Sequence, residues 1–112
     1  MHWRERCGNH HCLRTTARIT RRKRMAIVVT RPTEDDLREL GVFGWDIWTC
    51  EPSTFDWHYD QKETCYILEG DVTVKAGDEQ VRIGPGDFVV FPEGMDCVWE
   101  VRSPVRKHYR FG

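Results

Sequence analysis

Phe55-Asp-Trp-His-Tyr-Asp-Gln-Lys-Glu-Thr-Cys-Tyr-Ile-Leu-Glu-Gly70 is the stretch whose reading decides the fold. Side chains alternate across a strand, so Asp56 and His58 fall on one face while Phe55, Trp57 and Tyr59 fall on the other. Asp60-Gln61-Lys62 is a polar turn, and the strand after it sets Glu63, Cys65 and Ile67 against Thr64, Tyr66 and Leu68. From this pairing His58 and Glu63, with Asp56, are expected to converge inside a small closed antiparallel sheet. An imidazole and two carboxylates on adjacent strands are how a barrel presents ligands to a metal or a small substrate.

Strand and turn signals continue on both sides of that stretch. Upstream, Ala26 to Val29 reads as a first strand, and Pro32-Thr33 opens a short helix with Thr33 as N-cap and acids in its first turn. Leu37 and Leu40 give the helix a small apolar stripe, and Gly41 suits its left-handed stop. Trp45 to Glu51 is a further strand. Downstream, Val72 and Val74 alternate with Val81 and Ile83 around Ala76-Gly77-Asp78, which is a hairpin signal. Gly84-Pro85-Gly86-Asp87 and Pro92-Glu93-Gly94 bracket Phe88 to Phe91. Cys97 to Val101 and Val105 to Phe111 complete the strands, with Ser103-Pro104 between them. Short strands, one small helix and Gly/Pro punctuation predict an all-β barrel or sandwich of jelly-roll type. The competing reading is a sandwich whose polar positions lie on a solvated face.

The chain has 112 residues, 39% hydrophobic and 12% aromatic, which suits a single small domain. Its formal charge of -1 hides two compositions. Residues 1–24 hold eight of the 17 basic residues and only Glu5 of the 18 acidic ones, so the rest carries 9 − 17 = -8. Residues 1–24 end in Arg21-Arg22-Lys23-Arg24 and lack a hydrophobic period; they read as a disordered basic extension, with residues 25–112 as the folded domain. The extension is open to three explanations: a start codon placed ahead of Met25, a transit-like leader, or a nucleic-acid tail, for which a basic run without aromatics is a weak sign. Cys7-Gly-Asn-His10-His11-Cys12 matches no zinc spacing. With no apolar run long enough for a secretory signal or a span, the expectation is a soluble cytoplasmic protein without membrane or nucleic-acid partners. The odd cysteine count, with Cys50, Cys65 and Cys97 in the domain, predicts free thiols.

Two motifs then carry a resemblance. Asp56-x-His58, four residues, Glu63, six residues, Gly70 resembles the first cupin motif, in which a second His usually stands at the position of Asp56. Gly86, five residues, Pro92-x-Gly94, two residues, Cys97 resembles the second, with Cys97 in place of a His and Val101 where Asn is common. The wording around them, including Pro104-Val-Arg-Lys-His-Tyr109, is similar to the small cupins grouped with (S)-ureidoglycine aminohydrolase. The resemblance spans Trp45 to Phe111. It implies a conical jelly roll, often a dimer, that in many members holds Mn, Fe, Ni or Zn. It also implies an ammonia-releasing, metal-dependent hydrolase acting on a small ureido or amino acid, although that enzyme carries two cupin units and this chain one.

On this reading His58, Glu63, Asp56 and Cys97 are the metal ligands, for Mn, Zn or Fe. Glu63 and Asp56 are also the catalytic carboxylates, whichever is unligated moving protons. Tyr66, Trp99, Lys107 and Tyr109 are candidates for the substrate wall, as are Arg106 and His108; an inward Lys or Arg suits an anionic carboxylate. A metal-free alternative stands beside it: a non-enzymatic cupin that binds a small molecule or serves as a homodimer, with His58 and Glu63 a hydrogen-bonded pair. In that alternative Cys97 is a small buried apolar residue beside Trp99. A metal-free epimerase-type site, needing His58, Asp56 and Tyr66, is a third.

Overall fold

The computed structural model describes residues 26–112; the readings made for residues 1–24 lie outside them. Among the described residues, seven strands carry the fold: β1 (Val28–Thr30), β2 (Asp46–Cys50), β3 (Ser53–His58), β4 (Glu63–Ala76), β5 (Glu79–Ile83), β6 (Phe88–Phe91) and β7 (Asp96–Phe111). One helix, α1 (Glu34–Leu40), and a 3-10 turn at Val42–Gly44 precede β2. The helix forms for the reasons its sequence gives. Thr33 Oγ1 accepts from the Asp36 amide at 3.1 Å while Asp36 accepts from the Thr33 amide at 3.3 Å, a reciprocal cap. Gly41, at φ 76°, ends it in the left-handed region.

All pairings are antiparallel, in the order β1-β6-β4-β7-β2, with β3 also on β7 and β5 also on β4. The long strands β4 and β7 are shared by two walls. The start of β4 pairs β6 and the end of β7 pairs β2, whereas the end of β4 pairs β5 and the start of β7 pairs β3. Between the halves the register shifts at Ile67, Glu69, Asp71 and Val72. Gly70, at φ 120°, sits at this shift, and a Cβ there would lie 2.7 Å from Val105 Cα. Ser103-Pro104, which the sequence sets between two strands, and Gly70-Asp71 are therefore a facing pair of bends inside continuous strands.

The bend brings the two walls face to face over an aromatic core. Phe91 of the first wall lies 5.6 Å, and Trp48 6.0 Å, from Trp99 of the second, centroid to centroid. Phe55 stacks on Trp99 at 6.2 Å and Tyr59 on Phe91 at 5.0 Å. The result is the jelly-roll barrel anticipated from the strand pattern.

One expectation is overturned. On β3 the buried face is Phe55 and Trp57, continued by Tyr59, while Asp56 and His58 are exposed. Burying one large apolar side chain is worth about 1.5–3 kcal/mol, and bringing a carboxylate and an imidazole inside costs several. Three aromatics therefore decide the strand's orientation.

Candidate functional site

The polar centre of the barrel is built from three side chains that alternation points inward. Glu63 opens β4 on the same face as Cys65 and Ile67, as expected. Lys107, on β7, lies on the inward face with Val105. Its Nζ donates to Glu63 Oε2 at 2.6 Å, and neither side chain is exposed at all. Tyr59, just past β3, donates from its hydroxyl to Glu63 Oε1 at 2.8 Å. Both carboxylate oxygens are thus engaged, one by an ammonium and one by a phenol.

Aromatic faces close around the ammonium. Lys107 Nζ lies 4.4 Å from the Trp99 ring centroid, 4.9 Å from Trp48 and 6.0 Å from Tyr109. Ring faces attract a cation, the more so where water is excluded. Burial pushes the Glu63 carboxyl above its ordinary range, against the downward pull of Lys107 and of the Tyr59 hydroxyl. Burial and the neighbouring Glu63 charge drive the Tyr59 phenol well upward, so it stays a hydrogen-bond donor. The arrangement offers a donor cation and an acceptor anion side by side in an apolar shell.

The expected wall is met in part. Trp99 and Lys107 face the interior, and Tyr109 packs against the core from a half-buried position. Tyr66 does not: it lies on the outer face of β4, edge-on to Phe43 at 6.2 Å, opposite His108 in register. His108 is buried on that outer face too, with Nδ1 3.0 Å from the Trp45 carbonyl oxygen. Arg106 pairs with Glu69 at 2.9 Å outside the barrel. The period-2 rule explains all three, since each neighbours an inward residue in sequence.

The expected ligand set does not assemble. His58 points outward, with Nδ1 2.6 Å from Asp96 Oδ1 and Nε2 3.6 Å from Asp60 Oδ1, and Asp56 is exposed beside it. Glu63 and Cys97 point inward from the other side of the sheet. Among the described residues no three His, Cys, Asp or Glu side chains gather as a metal set. Glu63 already has an ammonium where a metal would stand. Cys97 is a thiol whose acidity burial suppresses, pushed up to about 12 with help from the Glu63 and Asp96 charges. The residues present do not fit one ion between them, because the wall of the barrel separates His58 and Asp56 from Glu63 and Cys97. Cys65 is pushed up further by burial and by Glu63. Free thiols are found at Cys65 and Cys97; Cys50 is not one of them.

Sequence reading missed Tyr59 and Trp48 as parts of the site. Tyr59 lies four residues ahead of Glu63, but the expectation that turns Asp56 and His58 inward leaves Tyr59 on the opposite face. Inverting that one strand recovers it.

Comparison with known proteins follows the same lines. The family model described as the EutQ-like cupin domain matches residues 37–109. A DUF861 family protein from Thermotoga maritima of known crystal structure is 49% identical; the match covers 78% of this chain and 100% of that one, with a TM-score of 0.76. The EutQ protein of Clostridium difficile is 22% identical at a TM-score of 0.53, over 56% of this chain and 50% of its own. A putative ethanolamine utilization protein Q from Salmonella typhimurium is 20% identical at 0.52, over 74% and 66%. These two share the fold alone, and this chain spans about half of the first and two thirds of the second. No curated protein matches. No helix among the described residues is long and apolar enough to cross a membrane. The motif spacing, the two-walled barrel and a family match over most of the folded part agree, and the chain belongs to the EutQ-like cupin domain family.

Proposed function

We propose that this protein binds a small ureido or amino acid inside its barrel, at the Lys107–Glu63 pair, without using the metal set His58, Asp56, Glu63 and Cys97. The observation that carries the reading is the 2.6 Å pair itself, sealed from water in an aromatic shell. Replacing such a pair by apolar residues is often neutral or stabilising, so its presence is not explained by stability. Ionisable groups perturbed by burial and by one another mark functional sites more often than chance. The pair also has the right polarity. A ureido or carboxylate oxygen accepts from Lys107, an N–H or ammonium donates to Glu63, and Tyr59 donates to whichever oxygen is left.

The ammonia-releasing version of this reading asks for a proton donor to the departing amine. Glu63, whose carboxyl burial makes less acidic, is suited to that role, and one measurement separates binding from turnover. Purified full chain is heated with and without hydantoate, a ureido acid, and with glycine, while released ammonia is assayed. A rise in melting temperature with hydantoate that is lost in Lys107→Met supports the site. No rise with either probe overturns it.

A further inference from the structure

We infer that Lys107 is a covalent capture residue: its amine, with Glu63 as proton acceptor and donor, forms an imine with a small aldehyde or keto acid held in the aromatic shell. The inference rests on reading the barrel interior as a ligand site and gives that site a second class of ligand, one with an aldehyde or ketone carbonyl.

Three observations converge on it. First, the described lysines differ sharply: Lys62 and Lys75 are exposed and Lys107 is sealed. An amine becomes a useful nucleophile when desolvated in an apolar pocket beside a base. Second, the base is in place, since Glu63 Oε2 is 2.6 Å from the nitrogen. Third, Tyr59 holds the other carboxylate oxygen at 2.8 Å, fixing the carboxylate while it exchanges protons.

The step balances with the groups present. Glu63 takes one proton from the Lys107 ammonium, and the free amine attacks the carbonyl carbon. As the C–N bond forms, the C=O π pair moves to oxygen, which takes the proton back from Glu63. Glu63 then removes a second proton from nitrogen and delivers it to the departing hydroxyl, which leaves as water. The net change is ammonium plus carbonyl to protonated imine plus water. Positive charge stays on the nitrogen beside the Glu63 carboxylate and against the Trp99 and Trp48 rings, so the product keeps the electrostatic partners of the reactant. No oxidant or reductant is needed.

The test uses the native full chain with glyoxylate and cyanoborohydride, which reduces an imine to a stable carboxymethyl-amine, followed by peptide mapping. The expected result is a carboxymethyl group on Lys107 in the native protein, slowed roughly 10²-fold in Glu63→Gln, the scale of a lost acid–base group. Label on Lys62 and Lys75 alone, with Lys107 reacting only in urea, overturns the inference. Faster labelling in Glu63→Gln also overturns it, because that is how a purely structural pair behaves when it loosens. Should Glu63→Gln not fold, saturating hydantoate is added to the wild type instead: selective protection of Lys107 supports the inference, and unprotected labelling overturns it. A hydantoate-induced rise in melting temperature without any Lys107 adduct sinks the covalent step and leaves the binding site standing; loss of both sinks the site.

Discussion

Lys107 Nζ and Glu63 Oε2 stand 2.6 Å apart on the neighbouring strands β7 and β4, whose register sets Lys107 opposite Ile67 and Glu63 opposite Phe111. Removing either partner strands the other charge in an apolar interior. Lys107→Met or Glu63→Leu alone should therefore destabilise the fold by about 3–5 kcal/mol. The double variant should recover most of that loss, since no charge is left behind. Urea unfolding of the four proteins gives the cycle, and additive losses would show that the pair is not coupled.

Alkaline pH probes the buried thiols. Cys97 holds its proton up to about 12 in the folded protein against 9.0 when exposed, and Cys65 and Tyr59 shift in the same direction. Above 9.0 the unfolded chain has lost protons that the native chain keeps, so the unfolded state binds fewer, and stability falls as pH rises. Each group contributes a slope of up to about 1.4 kcal/mol per pH unit. In Cys97→Ala the slope between 9.0 and about 12 should be shallower by roughly one such increment. An unchanged slope in urea titrations across that range contradicts the assignment.

Two glycines make a controlled comparison. Gly70 has φ 120° and no room, with Val105 Cα 2.7 Å from the site of an added Cβ, whereas Gly77 has φ 60° and open space. Gly77→Ala should lose about 1 kcal/mol, the cost of a left-handed alanine. Gly70→Ala adds a backbone collision at the bend where β4 and β7 change walls, and its melting temperature should fall several times further. Equal losses would mean that the bend is not the constraint.

His58 supplies a contrast with Lys107. Its side chain is 44% exposed and that of its partner Asp96 70%. Exposed pairs of this kind contribute about 0–1 kcal/mol. His58→Ala should stay within that range and leave the hydantoate-induced rise in melting temperature intact. Loss of that rise would return His58 to the site.

Much was legible without coordinates, and the limits follow from particular residues. Thr33 and Gly41 bound the helix by local hydrogen bonding and local φ, which depend only on nearby residues. The hairpin about Gly77 and the inward grouping of Glu63 with Cys65 and Ile67 follow from period 2. The break read at Ser103-Pro104 marks a real departure from ladder geometry, as does Gly70 opposite it. Whether such a departure ends a strand or bends it depends on the facing strand, here on Val105 lying against Gly70.

By itself the chain's order of residues determined the elements, the motif spacing that identifies a cupin, and which side chains share a face. It could not say which face turns inward, because alternation is symmetric: Asp56 with His58 and Phe55 with Trp57 are equally regular patterns. That choice is made by the whole barrel, where the aromatic side chains of both walls gain more by meeting one another than two polar groups gain by being enclosed. The same packing brought Lys107 across 44 residues of sequence to Glu63, a partnership no local rule contains.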